Sequence, residues 1–217
     1  MKTSGNAIVL IVGVGLVLSM AESAVAQRRG QGGLRLGEAT STQLLQIAAV
    51  QNELKITDEQ KTKAAAVNET VTSGRRQIFA ANSKDSKERA PKVAELNKQA
   101  DAEIEKILND AQNKRLKQIV LQANGAAELQ KDEIQKALSF TEEQKSQIAE
   151  IRKENLKARR DGLAQLQGAA RSTKDAELYR EADKKLLKVL RSDQSKQFEQ
   201  MQGEKIKLDL VPSAPGG

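Results

Sequence analysis

The chain has 217 residues, with 36 Lys and Arg against 29 Asp and Glu for a formal net charge of +7, and it contains neither Cys nor His. That composition excludes a Ser/His/Asp triad, a thiol nucleophile, imidazole or thiolate metal sites and any disulfide framework. Aromatic residues make up only 2% of the chain (Phe79, Phe140, Tyr179 and Phe198), so the core must be built from Leu, Ile, Val and Ala, which favours helix packed on helix.

The N-terminus reads as an export signal. One Lys precedes an apolar run from Ala7 to Met20, and Ala24-Val25-Ala26 supplies the small residues a signal peptidase requires. The run is shorter than the roughly 20 residues of a membrane-spanning helix. Residues 1–26 are therefore expected to be a cleaved secretory signal, which makes the protein periplasmic or secreted with no integral membrane span left after cleavage. Lys2 and Glu22 cancel, so the mature chain keeps the full positive charge. Residues 27–41, which include "QRRGQGGLRLG", are expected to form a flexible basic Gly-rich arm.

Apolar spacing of 3 and 4 then predicts helices over 42–54, 58–82, 87–108 and 110–124, with Asn124-Gly125 as a C-cap. A second set is predicted over 127–138, 142–168, 173–190 and 193–208, followed by a disordered tail at 209–217. Pro91 should fall in an early helical turn or break the helix locally. No strand pattern is visible.

The two sets echo each other. "LKITDEQ" (Leu54 to Gln60) recurs as "LSFTEEQ" (Leu138 to Gln144). In the register that alignment sets, Leu45 meets Leu129, Val50 meets Ile134, Ala64 meets Ile148, and "RRQIFA" from Arg75 meets "RRDGLA" from Arg159. Beyond these the register slips, as a shortened loop would make it, and Ala100 to Ile119 matches Ala182 to Met201. The chain thus reads as two copies of one helical unit, 42–124 and 126–208.

Weaker forms of the opening string stand at Leu108 to Gln112 and at Leu190 to Gln194. Each string has the form of a helix start. Thr57 with Gln60, Asn109 with Gln112 and Thr141 with Gln144 fit capping boxes, and the acids of the first turn suit the helix dipole. Ile56, Leu108, Phe140 and Leu190 precede the cap, where an apolar residue can staple to the next turn. In the fourth string, with Gln194, Ser192 is expected to cap in preference to Arg191.

Basic residues alternate with acids along the helices and no aromatics interleave for base stacking, which argues against nucleic acid. No phosphate loop or calcium loop is present, no cofactor is implied, and the chain is expected not to be an enzyme. Arg75, Arg76 and Phe79, with their counterparts Arg159, Arg160 and Leu163, place basic residues beside apolar ones in both copies. That combination suits weak capture of unfolded or acidic polypeptide. Long Arg stems covering a helix surface would give the same pattern without a function.

Export, helical periodicity and the repeated apolar-Thr-x-x-Gln string resemble the LTxxQ-motif family of periplasmic proteins, the Spy/CpxP-like group. The resemblance rests on Ile56 to Gln60 and Phe140 to Gln144, with the weaker matches at Leu108 to Gln112 and Leu190 to Gln194. It implies a cradle-shaped, elongated helical bundle acting as an ATP-independent chaperone or an envelope-stress accessory. The family is often a homodimer, and a duplicated chain could stand in for two subunits. A non-catalytic scaffold binding one fixed envelope protein is the alternative.

Overall fold

The structure, a computed structural model, describes residues 39–81 and 86–208. The expected signal segment, most of the basic arm and the tail at 209–217 lie outside the described residues. Within them the fold is all-α, without strands. In chain order the elements are α1 (Ser41–Leu44), α2 (Ala48–Glu53), α3 (Asp58–Ala81), α4 (Ser86–Ile107) and α5 (Asp110–Asn124). A 3-10 segment (Gly125–Gln130) follows, then α6 (Asp132–Ala137), α7 (Glu142–Leu163), α8 (Gly168–Leu187) and α9 (Ser192–Gln202). The long helices pair as hairpins, α3 with α4 and α7 with α8. Gln60 bonds Ile107 at one end of the first hairpin and Gly74 meets Leu96 further along, so its helices run antiparallel. Pro91 lies inside α4 without ending it.

The helix boundaries differ from the sequence expectation at five places. The stretch 42–54 is two short helices, because Leu45 and Leu54 are both buried. On one continuous helix those two positions would point about 180° apart. A break after α1 lets both face inward, and Gln51 Nε2 takes up the freed Leu45 carbonyl at 2.8 Å. The same conflict between Leu129 and Leu138 resolves the same way, with Gln135 bonding the Leu129 carbonyl at 3.1 Å.

Helix α7 stops at Leu163, short of 168, because Arg171 from the first turn of α8 donates to the Leu163 carbonyl. Residues 169–172, expected as loop, belong to α8 instead. Helix α9 ends at Gln202 and not near 208. Gly203 turns with φ +64, and a Cβ there would lie 2.5 Å from the Gln118 side chain. The chain then runs back along α5: Gln122 donates to the carbonyls of Gln202 and Glu204, both at 2.7 Å, and accepts from the Ile206 amide at 3.0 Å.

All four predicted strings start helices, and their glutamines meet in pairs. Gln60 Nε2 donates to Gln112 Oε1 at 2.8 Å and to the Ile107 carbonyl at 3.0 Å. Gln112 Nε2 donates in return to Gln60 Oε1 at 3.2 Å and to the Leu54 carbonyl at 3.1 Å. Each amide oxygen also accepts the backbone N–H of its own cap, Thr57 or Asn109, at 3.0 Å. Both donor hydrogens and both acceptor sites of each amide are thereby used. One such clasp binds four helix ends: the last carbonyls of α2 and α4 and the first amides of α3 and α5.

The second half repeats the clasp. Gln144 Nε2 reaches Gln194 Oε1 at 2.7 Å and the Val189 carbonyl at 2.9 Å. Gln194 Nε2 reaches Gln144 Oε1 at 3.2 Å and the Leu138 carbonyl at 2.9 Å. Gln144, Gln194, Leu138 and Val189 take the places of Gln60, Gln112, Leu54 and Ile107 in the registers of the sequence echo. Lys55 and Ser139 match as well: both take a left-handed conformation, φ 48 and φ 50, to end α2 and α6. The following amides, Ile56 and Phe140, bond back to the carbonyls of Gln51 and Gln135, completing a Schellman turn in each half.

The capping boxes at Thr57, Asn109 and Thr141 form as expected. The expected cap at Ser192 does not: the N-cap is Arg191, whose backbone N–H donates to Gln194 Oε1 at 3.0 Å. A guanidinium offers no acceptor, so only the glutamine half of the box exists there. The clasp fixes Gln194 at the third helical position, and the cap must then fall at Arg191.

Two aliphatic cores lie beneath the clasps. The first gathers Leu44, Leu45, Val50, Leu54, Ile56, Ala64, Ile104, Leu108, Leu116 and Ile119. The second gathers Leu129, Ile134, Leu138, Phe140, Ile148, Leu186 and Phe198, with Leu190 packed at its edge. Helix α5 serves both, giving Leu116, Ile119 and Ala123 to the first and Leu121 to the second. All described residues belong to one compact unit.

A buried amide left without partners costs on the order of 1–3 kcal/mol. Gln194 is 1% exposed, whereas Gln60 is half-exposed. Gln194→Ala should therefore cost about 3 kcal/mol and Gln60→Ala about 1 kcal/mol, read from urea unfolding midpoints. Equal costs would contradict the burial difference.

Candidate functional site

Where the two cores adjoin, their facing residues leave a cleft of about 690 Å³. Its floor is apolar: Ile104, Leu116 and Val120 come from the first core, and Leu121, Ile134 and Met201 from the second. Helix α5 runs along it, so the two faces of one helix set the floor. The rim is charged with both signs, carrying Asp101, Glu105 and Glu133 among Lys114, Lys117 and Lys131. Lys117 pairs with Glu105 at 2.8 Å, and that bond raises its pKa. Burial of its carboxyl at the cleft wall raises Asp101, against the hydrogen bond from Ser41, although much of the residue reaches solvent.

Glu128 also lines the cleft and is 4% exposed. It accepts from Asn124 Nδ2 at 2.8 Å and pairs with Lys131 at 2.8 Å. Asn124 also binds Ala39 in both directions, accepting its amide at 2.7 Å and donating to its carbonyl at 2.9 Å. The start of the described chain is thus tied to the junction between the halves.

A smaller cavity of about 140 Å³ lies in the second half, lined in part by Ile148, Arg152, Tyr179 and Asp183. Asp183 accepts the Ala126 amide at 2.8 Å, and Gly125 leaves room for it, since a Cβ there would stand 3.1 Å from Asp183 Oδ1. Burial raises the Asp183 pKa more than that hydrogen bond lowers it. Asp101, bonded to Ser41, holds the equivalent place in the first half, since Ala100 to Ile119 aligns with Ala182 to Met201.

The sequence-based candidates for polypeptide capture scatter in character. Phe79 is 52% exposed with the Arg89 guanidinium 5.1 Å from its ring centre, and Arg76 is exposed beside it. Arg160 is exposed and pairs with Asp161 at 3.1 Å. Arg159 is half-buried and held by Asp175, Nε to Oδ1 at 2.7 Å and Nη2 to Oδ2 at 3.2 Å. Leu163 is buried and offers no surface. Arg75 is half-buried, and its Nε is buried without a hydrogen-bond partner. The motif residues Ile56, Thr57, Gln60, Leu108, Asn109, Gln112, Phe140, Thr141, Gln144, Leu190 and Gln194 form the clasps and the core beneath them, away from any open surface site.

The sequence echo matched Ile134 with Val50 but could not place it at a cleft. Nothing in a linear pattern distinguishes a core face from one that ends at a junction. Among the described residues no group of three or more carboxylates is placed to hold a metal ion, and no helix is long and apolar enough to cross a membrane. No family model matches the chain, and no curated protein or solved structure matches it either.

An aspartate whose native pKa is raised destabilises the fold while it is ionised. The penalty vanishes once the carboxyl is protonated in both folded and unfolded states. Asp183→Asn keeps an oxygen for the Ala126 amide and carries no charge. It should therefore stabilise the protein at neutral pH. The gain should shrink as pH falls through the raised native pKa and be gone below the ordinary aspartate value of about 4. Thermal unfolding at pH 7 and pH 3 checks this.

Proposed function

We propose that the chain is an exported, ATP-independent polypeptide-binding protein of holdase character, as its resemblance to the Spy/CpxP-like group implies, and that client segments bind in the cleft between the two cores. The observation that carries this reading is the cleft itself. A volume of about 690 Å³ is within the range of binding pockets. Its floor offers Val120, Leu121 and Met201 to apolar side chains, while a rim of both signs suits the polar backbone and mixed charges of an unfolded segment. The floor rests on two separate cores, so filling it requires no rearrangement of either. The net charge of +7 favours acidic clients at longer range.

Light scattering tests the reading. The full chain, added without ATP to a reduced, unfolding client, should slow aggregation, and salt should weaken the effect if rim charges steer capture. Met201→Glu sets a carboxylate on the floor and should reduce the suppression severalfold while far-UV circular dichroism stays unchanged. Identical aggregation curves with and without the protein would dispose of the function. A variant as active as the parent would dispose of the cleft.

A further inference from the structure

The two halves place an arginine at equivalent positions, yet among the described residues only one of them has a counterion. Arg159 on α7 and Asp175 on α8 form a two-point ion pair, with bonds of 2.7 and 3.2 Å, that bridges the second hairpin. Arg75 is the counterpart of Arg159 in the aligned strings "RRQIFA" and "RRDGLA". Carried back along α4, the register that sets Ala100 against Ala182 sets Val93 against Asp175. That register also equates Ile104 with Leu186, and both are buried, each in the core of its own half. The first hairpin therefore keeps the guanidinium and has valine in place of the carboxylate.

The consequence is visible at Arg75. Its Nε is buried and makes no hydrogen bond. A guanidinium cannot relieve that by losing its proton, so an unfilled donor remains beside a fixed charge. One turn further along α3 lies the exposed ring of Phe79, with the Arg89 guanidinium over it, and Arg76 is exposed next to Arg75. An unfilled guanidinium, a second cation and an apolar disc are thus grouped on one hairpin.

We propose that Arg75 is an open carboxylate-binding site that receives an Asp or Glu side chain of an acidic polypeptide, with Phe79 contacting the neighbouring apolar residue. The proposal rests on the polypeptide-binding reading above and names the client chemistry, at a second place distinct from the cleft. Asp175 shows what the equivalent site takes when the chain supplies the ligand itself. Arg75 is only half-buried, and receiving a carboxylate on the Nε–Nη edge that Arg159 uses requires its side chain to turn outward from the position in which Nε is buried. Two-point recognition favours carboxylate over a diffuse anion.

Fluorescence anisotropy with a labelled peptide of alternating Glu and Leu, and with its Gln and Leu counterpart, tests the site on the full chain. Arg75→Gln should weaken binding of the acidic peptide about tenfold and leave the neutral one unchanged. Val93→Asp supplies the missing carboxylate in place. It should weaken acidic-peptide binding as much, with a melting temperature equal to or above the parent's, which a misfolded variant would not show. Asp175→Val opens the second site and should add a second equivalent of bound peptide. Competition by free glutamate at the same concentration as the peptide would show an adventitious anion site and overturn the proposal. Acidic-peptide binding unchanged in both Arg75→Gln and Val93→Asp would overturn it too. Loss of this site with intact aggregation suppression leaves the cleft standing, and the reverse outcome leaves Arg75 standing.

Discussion

The paired glutamines are the constraint on which the rest of the structure depends. A helix end exposes carbonyls or amides that must find partners, and a bundle of short connections has many such ends close together. Each clasp answers this with two side chains. An amide carries two donors and two acceptors, so two amides facing each other can close their own pair and still bind two carbonyls and two amides of the backbone. No other uncharged side chain in this sequence has that capacity with the reach of glutamine. Glutamate has no donor, and asparagine is one methylene shorter.

The clasps explain why the cores can be built almost wholly from aliphatic residues. Ile56, Leu108 and Phe140 are buried beneath the clasps, and Leu190 packs at the edge. The position of each helix start is set by hydrogen bonds rather than by interlocking aromatic shapes. With registry fixed at the ends, small residues such as Ala64 and Gly74 allow close helix approach along the hairpins, where Leu96 would stand 2.9 Å from a Cβ at position 74. Helix α5, shared between both cores, then decides where the cleft falls.

The two halves share their hydrogen bonds at the clasps and differ elsewhere. The clasps are alike in both halves. The arginine sites are not: Asp175 pairs with Arg159, whereas the Nε of Arg75 is buried without a hydrogen-bond partner. The fourth helix start differs as well, since Arg191 replaces a capping side chain and its guanidinium instead meets Asp193 and Gln144.

The helices and most of their starts were legible in the linear pattern, because capping boxes and apolar spacing are local. Thr57, Asn109 and Thr141 act within their own first turn, and Ala64, Val67 and Val71 share a face through helical geometry alone. Tertiary structure decided everything that joins residues far apart. It split 42–54 so that Leu45 and Leu54 could both be buried, moved the fourth cap from Ser192 to Arg191, and turned the chain at Gly203 to lie along α5. It also brought four capping glutamines together as two clasps and gave Arg159 a partner that Arg75 does not share. A linear pattern records which groups a residue can bond, but which of them it meets depends on how distant helices are brought side by side.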